Sequence, residues 1–182
     1  MRKLFGLVAV LLGIFLQNCQ EPIARRPINP RKEAFLNQSA LRNKNRFALE
    51  QQLFHKIRKN EPNLRYQNSS KGFWYAIIKG INSRKPQPQK GDEVVLEYRI
   101  EDLNKNLLYD EEQLGQVRFL VDQEDYLAAL REGAKVLREG QTGVFLFPSY
   151  LCFGYQGDFE KIGSNQPLRF TIKLVSLTKI NS

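Results

Sequence analysis

From Val94 to Glu101 the chain alternates, with Val94, Leu96, Tyr98 and Ile100 on one side and Val95, Glu97, Arg99 and Glu101 on the other. A period of two predicts a half-buried antiparallel strand. The same pattern predicts strands at Leu107–Asp110, Val117–Val121, Val144–Phe147 and Leu168–Leu177, and the aromatic run KGFWYAIIKG within Tyr66–Ile81 predicts a first strand pair. Asn104-Lys105-Asn106 reads as a turn and Gly115 as a break, while Arg84–Lys90, Pro148–Gly157 and Asp158–Pro167 read as loops. One stretch departs from the period of two. In Val121–Gly133, VDQEDYLAALREG, Tyr126, Leu127 and Leu130 make one apolar stripe, Asp122 stands where a first turn needs a cap, and Gly133 and Gly140 bracket the exit. A helix this short is marginal alone, so it is expected to lie on the sheet as the floor of a small apolar pocket. Five or six antiparallel strands with one packed helix make an α+β domain over residues 63–182.

The N-terminal third follows another pattern. Ser39 is expected to open a helix that runs to about Asn60 and is stopped by Pro62. Leu49, Leu53 and Ile57 recur at i, i+4 and i+8, Phe47 and Phe54 stand one heptad apart, and Arg42, Lys44, Arg46, Lys56 and Arg58 form a basic face. Such a helix can dock on the domain, pair with a copy of itself or lie on a membrane surface. Before it, Gln20–Ala34 carries Pro22, Pro27 and Pro30 and reads as an extended tether. Arg2-Lys3 followed by the apolar run Leu4–Leu16 reads as a secretory signal, because about 13 residues are too few to span a bilayer. The expected organisation is a signal at 1–18, a tether at 19–38, a helix at 39–61 and a domain at 63–182.

Composition narrows the function classes. The 42% hydrophobic content suits a real core. The net charge of +9 is scattered without a tight basic cluster or a nucleic-acid motif. It suits an anionic surface or acidic partner better than a DNA groove, and no nucleic acid is expected as partner. With Cys19 set aside, Cys152 is alone and cannot form an internal disulfide. His55, the one histidine, has no ligand partner at i±4. The sequence lacks metal-ligand spacing, a Gly-rich phosphate loop and a G-x-S-x-G elbow, and neither a metal nor a cofactor is expected.

The segment Leu16-Gln17-Asn18-Cys19 resembles a bacterial lipoprotein signal, with Asn18 where a smaller residue is usual. That resemblance implies lipidation at Cys19. Over about Tyr66–Leu177, GDEVVLEY, LLYD, VDQEDYLAALREG, EGQTGVFLFPSYLCFGYQG and PLRFTIKL, in this order and spacing, resemble the FKBP-type peptidyl-prolyl cis/trans isomerases. Ala24-Arg25-Arg26-Pro27, GFWY, FPSYLCFGYQGD and KIGSNQPLR add a narrower resemblance to the gliding-motility-associated lipoprotein isomerases of Bacteroidetes.

The resemblance implies an apolar pocket for proline. Tyr98, Asp110 and Phe153 would be the catalytic positions, with Tyr98 hydrogen-bonding the neighbouring acid. Tyr109, Val117, Tyr126, Leu127, Leu130, Ile162 and Phe170 would bind substrate, and the backbone N–H of Leu127 would hold a substrate carbonyl. Three positions depart from the family pattern: Val117 stands for Phe, Leu130 for an aromatic that is often Trp, and Phe153 for Tyr. The implied function is folding assistance to exported, proline-containing polypeptides from a lipid-anchored place in the cell envelope. The alternative is an FKBP-like binding module, a chaperone subunit of an envelope machine for gliding or secretion, with little turnover.

Overall fold

The computed structural model describes residues 30–180. The proposed signal, Cys19 and the first part of the tether lie outside them. The described chain begins with helix α1 (Pro30–Asn60), so the helix starts nine positions before Ser39. Proline is tolerated at a first helical position because that N–H has no intrahelical partner. By internal contacts the chain divides after Leu41. The unit before that point contains the first turns of α1, in which Phe35, Leu36 and Leu41 are exposed.

The unit from Arg42 onward holds the sheet. Strands β1 (Gln67–Asn68), β2 (Trp74–Lys79), β3 (Glu93–Glu101), β4 (Leu107–Tyr109), β5 (Val117–Leu120), β6 (Thr142–Phe147) and β7 (Leu168–Thr178) pair antiparallel throughout. The order is β1-β2-β6-β7-β3-β4, and β5 also pairs with β3. The seven strands among the described residues exceed the expected five or six because β1 is only two residues long. β4 and β5 share one edge of β3, broken between them by the helical turn α2 (Glu111–Leu114).

Alternation gives the sheet two buried faces. Phe145, Phe147, Phe170 and Ile172 point into the main core together with Leu96, Tyr98 and Ile100. Helix α3 (Ala128–Val136) lies on that face, with Ala129, Leu130, Gly133 and Ala134 buried. Gly133 is therefore inside the helix, not at its exit. A Cβ there would stand 2.9 Å from Ile172 Cδ1 and 3.3 Å from Phe147 Cζ, so glycine lets the helix backbone come close to the sheet.

On β6 the alternate residues Val144 and Leu146 point the other way and are also buried. From Arg42 on, α1 covers this far face. Trp74 Nε1 donates to Gln51 Oε1 at 2.9 Å, and the Arg58 guanidinium lies 3.4 Å over the Trp74 ring. α1 thus turns the buried Glu50 and Phe54 and the half-buried Phe47 and Arg58 inward, while Leu49 and Leu53 are exposed. Arg58 departs from the expected solvated basic face because its flat cation stacks on an aromatic ring. Beyond the helix, Arg169 Nη1 reaches Glu61 Oε1 at 3.0 Å, and Tyr66 donates to Glu61 Oε2 at 2.6 Å.

Candidate functional site

The segment 121–127 is turn and irregular chain, and α3 starts only at Ala128. Asp122 does not cap it. Its φ is +56, and its carboxylate pairs at 2.7 Å with Lys135 Nζ in the last turn of α3. Leu127 occupies the N-cap without a side-chain cap bond, and its carbonyl accepts from the N–H groups of Leu130 and Arg131. The N–H of Leu127 has no acceptor among the described residues. The start of α3 therefore keeps free donors and the positive end of its dipole.

Around this helix start the chain gathers the positions singled out in the sequence. Tyr98, Val117, Leu130, Ile162 and Phe170 are buried members of one core cluster, and Tyr109, Tyr126, Leu127 and Phe153 pack against it half-buried. Tyr98 and Phe170 stack with centroids 6.2 Å apart, and Phe147 stands edge-on to Phe170 at 5.4 Å. These residues come from β3, β4, β5, β7, α3 and three loops. Buried members sit inside the cluster and the half-buried ones at its surface.

Asp110, also half-buried, takes a different part from the expected one. No hydrogen bond joins it to Tyr98 among the described residues. Instead Asp110 Oδ1 accepts from Gln113 N at 2.8 Å as the N-cap of α2, and the Gln113 side chain closes a capping box. The bond fixes the turn between Tyr109 and Val117. Burial, with the field of Tyr126 second, pushes the Tyr98 hydroxyl up to about 12, so it stays protonated.

Two supporting residues were not anticipated. Phe119, buried in β5, stacks on Tyr126 at 5.2 Å; its alternation with Val117 was the available signal. Asp158 is the second. Its Oδ2 accepts from the Tyr109 hydroxyl at 2.5 Å, and its Oδ1 accepts from the N–H groups of Glu160, Lys161 and Ile162 at 2.9, 3.0 and 2.7 Å. Lys161 Nζ donates to the Leu108 carbonyl at 2.8 Å and lies 4.5 Å from the centre of the Tyr109 ring. The loop carrying Ile162 is therefore tied to β4. Its sequence signal was an Asp followed by three N–H groups in a turn.

The set contains no nucleophile with a base. Cys152 lies next to Phe153, and burial, with Glu50 second, pushes its thiol well up, which keeps it neutral and unreactive. His55 contacts Arg58 on α1. Among the described residues no group of three or more His, Cys, Asp or Glu is placed to hold a metal, and no helix is long and apolar enough to cross a membrane. What the arrangement offers is a packed apolar and aromatic cluster beside free backbone donors.

Comparison with known proteins gives a concordant picture. Residues 84–175 match the model of the family described as FKBP-type peptidyl-prolyl cis-trans isomerase. The chain is 33% identical over 113 residues to a Neisseria meningitidis protein named "Probable FKBP-type peptidyl-prolyl cis-trans isomerase FkpA". The match takes in 61% of this chain and 40% of that protein, so the chain spans well under half the length of this curated relative. In fold it resembles the crystal structure of FkpA from Escherichia coli, with TM-score 0.58, 19% identity and coverage of 97% of this chain and 82% of the other. A peptidyl-prolyl cis-trans isomerase from Pseudomonas syringae pv. tomato superposes with TM-score 0.58 at 14% identity, over 75% of this chain and 96% of that one.

Proposed function

This chain belongs to the FKBP-type peptidyl-prolyl cis-trans isomerase family, and from that membership we propose that it rotates X-Pro bonds in polypeptides. The observation that carries the reading is one apolar cluster that joins residues of β3, β4, β5, β7 and two loops to α3, whose start is uncapped. An X-Pro bond rotates over a barrier of about 18–20 kcal/mol because amide resonance must be broken, and unaided it takes tens of seconds or more. The twisted amide has less charge separation than the planar one, so an apolar bowl disfavours it less. In this proposal Tyr98, Tyr109, Val117, Phe153, Ile162 and Phe170 line that bowl over Leu127 and Leu130, with Tyr126 at its rim; their membership of one apolar cluster supports it. A donor fixed beside it, the N–H of Leu127, holds the substrate carbonyl. Asp110 acts by keeping Tyr109 and Val117 in place through its cap on α2. Lowering the barrier by roughly 5 kcal/mol gives between three and four powers of ten in rate.

The clients in this proposal are exported proteins, and the chain is held in the cell envelope by a lipid on Cys19. The apolar run before Cys19 supports this. The narrower likeness to gliding-associated lipoprotein isomerases supports an envelope role too. A protease-coupled assay on an Ala-Leu-Pro-Phe peptide tests turnover; a wild-type rate equal to the uncatalysed one rejects it. Mass spectrometry of the N-terminal peptide tests the anchor; an unacylated Cys19 rejects that part alone.

A second reading, a binding module with little turnover, is favoured by Phe153. Where the family usually carries a tyrosine hydroxyl at this rim position, this chain has none. Peptide binding without acceleration in the same assay identifies that case.

A further inference from the structure

A cavity of about 460 Å³ lies between α1 and the turns that follow β6, within the size range of ligand pockets. Its back wall is Glu50, which is 4% exposed and has both oxygens occupied: Oε1 accepts from Ser149 Oγ at 2.6 Å and Oε2 from Ser149 N at 3.1 Å. Its front is different. Tyr155 is 81% exposed and Tyr150 is 54% exposed, and Asn43 and Asn165 add amides between them. Among the described residues the one cation lining the cavity is Arg46, and the one hydrogen bond of its guanidinium is a 3.4 Å contact from Nη1 to Asn43 Oδ1. A guanidinium has five donors, so most of Arg46's capacity is unspent. Aromatic rings, a guanidinium and amides are the side chains that carry protein–protein contacts.

The cavity adjoins the candidate proline site through one turn. Phe153 packs on the bowl, while Gly154 and Tyr155, the next two residues, line the cavity. Successive Cα atoms are about 3.8 Å apart, so the step between the sites is under about 8 Å. An extended polypeptide advances about 3.3–3.6 Å per residue. A chain with proline in the bowl therefore reaches the cavity within about three residues. Tyr150 is held ready, with its ring edge-on to Phe47 at 5.9 Å and its hydroxyl donating to the Lys71 carbonyl at 2.5 Å.

We propose that this cavity is a second contact site for the client polypeptide, taking an Asp or Glu side chain within about three residues of the proline onto Arg46. The proposal rests on the isomerase reading and extends it from a single bond to a flanking sequence. The net charge of +9 favours the same acidic segments at longer range.

The test uses the full chain and its variants Arg46→Ala, Arg46→Glu and Tyr155→Ala, which alter surface side chains and are checked for folding by circular dichroism. Two fluorescent peptides of about 16 residues carry a central proline with either two Glu or two Lys three residues away, and their affinities are read by anisotropy. The wild type is expected to bind the Glu peptide about tenfold more tightly than the Lys peptide, with the difference shrinking as salt rises. Arg46→Ala and Tyr155→Ala should each weaken the Glu peptide several-fold, and Arg46→Glu should reverse the preference. Turnover of the Ala-Leu-Pro-Phe tetrapeptide, too short to fill both sites, should be unchanged in all three. Equal binding of the two peptides by wild type, or an Arg46→Glu variant with the wild-type preference, overturns the proposal. Loss of tetrapeptide turnover in the wild type itself overturns the isomerase reading, and the anisotropy result then still decides whether the cavity holds acidic polypeptide.

Discussion

The Tyr109 hydroxyl donates to Asp158 Oδ2 at 2.5 Å across 49 residues of sequence. The bond raises the Tyr109 hydroxyl to about 12, chiefly through Asp158 itself. For the Asp158 carboxyl, burial pushes upward, but the hydrogen bonds from Tyr109 and from three backbone N–H groups outweigh it and hold it low. Asp158 thus remains ionised at neutral pH and holds the loop of Ile162 to β4.

Asp158→Ala should free this loop. The expected loss in kcat/KM on the proline tetrapeptide is roughly threefold to tenfold, the equivalent of one or two ordinary hydrogen bonds. Tyr109→Phe removes a single bond and should lose less. If Asp158→Ala leaves kcat/KM untouched, the loop does not position the site.

Asp110 is expected to act through its cap. Asp110→Ala should cost about 1 kcal/mol of stability and lower turnover. Asp110→Ser and Asp110→Asn, which are good N-caps, should restore most of both. Urea unfolding alongside the peptide assay separates the cases, and loss of activity in Asp110→Asn with stability retained would show that the charge itself matters.

Gly157 is a second sensitive point. Its φ is +70, and a Cβ there would stand 2.3 Å from the Ile162 carbonyl oxygen, which is backbone and cannot swing aside. Gly157→Ala should cost about 2–3 kcal/mol. Gly115→Ala is the control: φ is +65 and ψ −173 with nothing within 4 Å, so backbone strain acts alone and the cost, on the order of 1–3 kcal/mol, should be smaller than at Gly157. Thermal unfolding of the pair checks the order.

Acid should weaken the attachment of Arg169 to the chain after α1. Burial works to raise the Glu61 carboxyl, but hydrogen bonds from Lys105, Tyr66 and Arg169 hold it below its ordinary value. A group depressed on folding stabilises fully above its unfolded value, about 4.3, and loses that contribution as pH falls through the lower folded one. Wild-type stability in urea should therefore fall from pH 5 to pH 3 more steeply than that of Glu61→Gln. At pH 7 the variant should be less stable by about 2–4 kcal/mol, because Arg169, 7% exposed, keeps Glu101 at 3.5 Å as its charged partner and otherwise the neutral Tyr66 hydroxyl at 3.3 Å. Parallel pH profiles would show that Glu61 does not carry the slope.

The strands were legible because period two survives in half-buried segments such as Val94–Ile100, which pairs with β7 along its length with one register shift between Val95 and Leu96. Helix α3 was legible as an element but not at its start. An acid ahead of an apolar stripe looks the same whether it caps the helix or, like Asp122, pairs across it with Lys135. On α1 two apolar stripes competed, Leu49–Leu53 and Phe47–Phe54, and only the sheet's far face decides which is buried. The proposed proline site rests on likeness to a family, since no periodicity distinguishes Tyr98 or Phe170 from ordinary core. Asp158 was not legible, because its meaning depends on a tyrosine far away in sequence.

The interrupted β4–β5 border has a further consequence. One margin of the sheet is two fragments of three and four residues, and the other is the two-residue β1. Neither offers a long row of unpaired amides to a foreign strand. A protein whose proposed work brings it against unfolded chains can touch their prolines while refusing to become the template on which they aggregate.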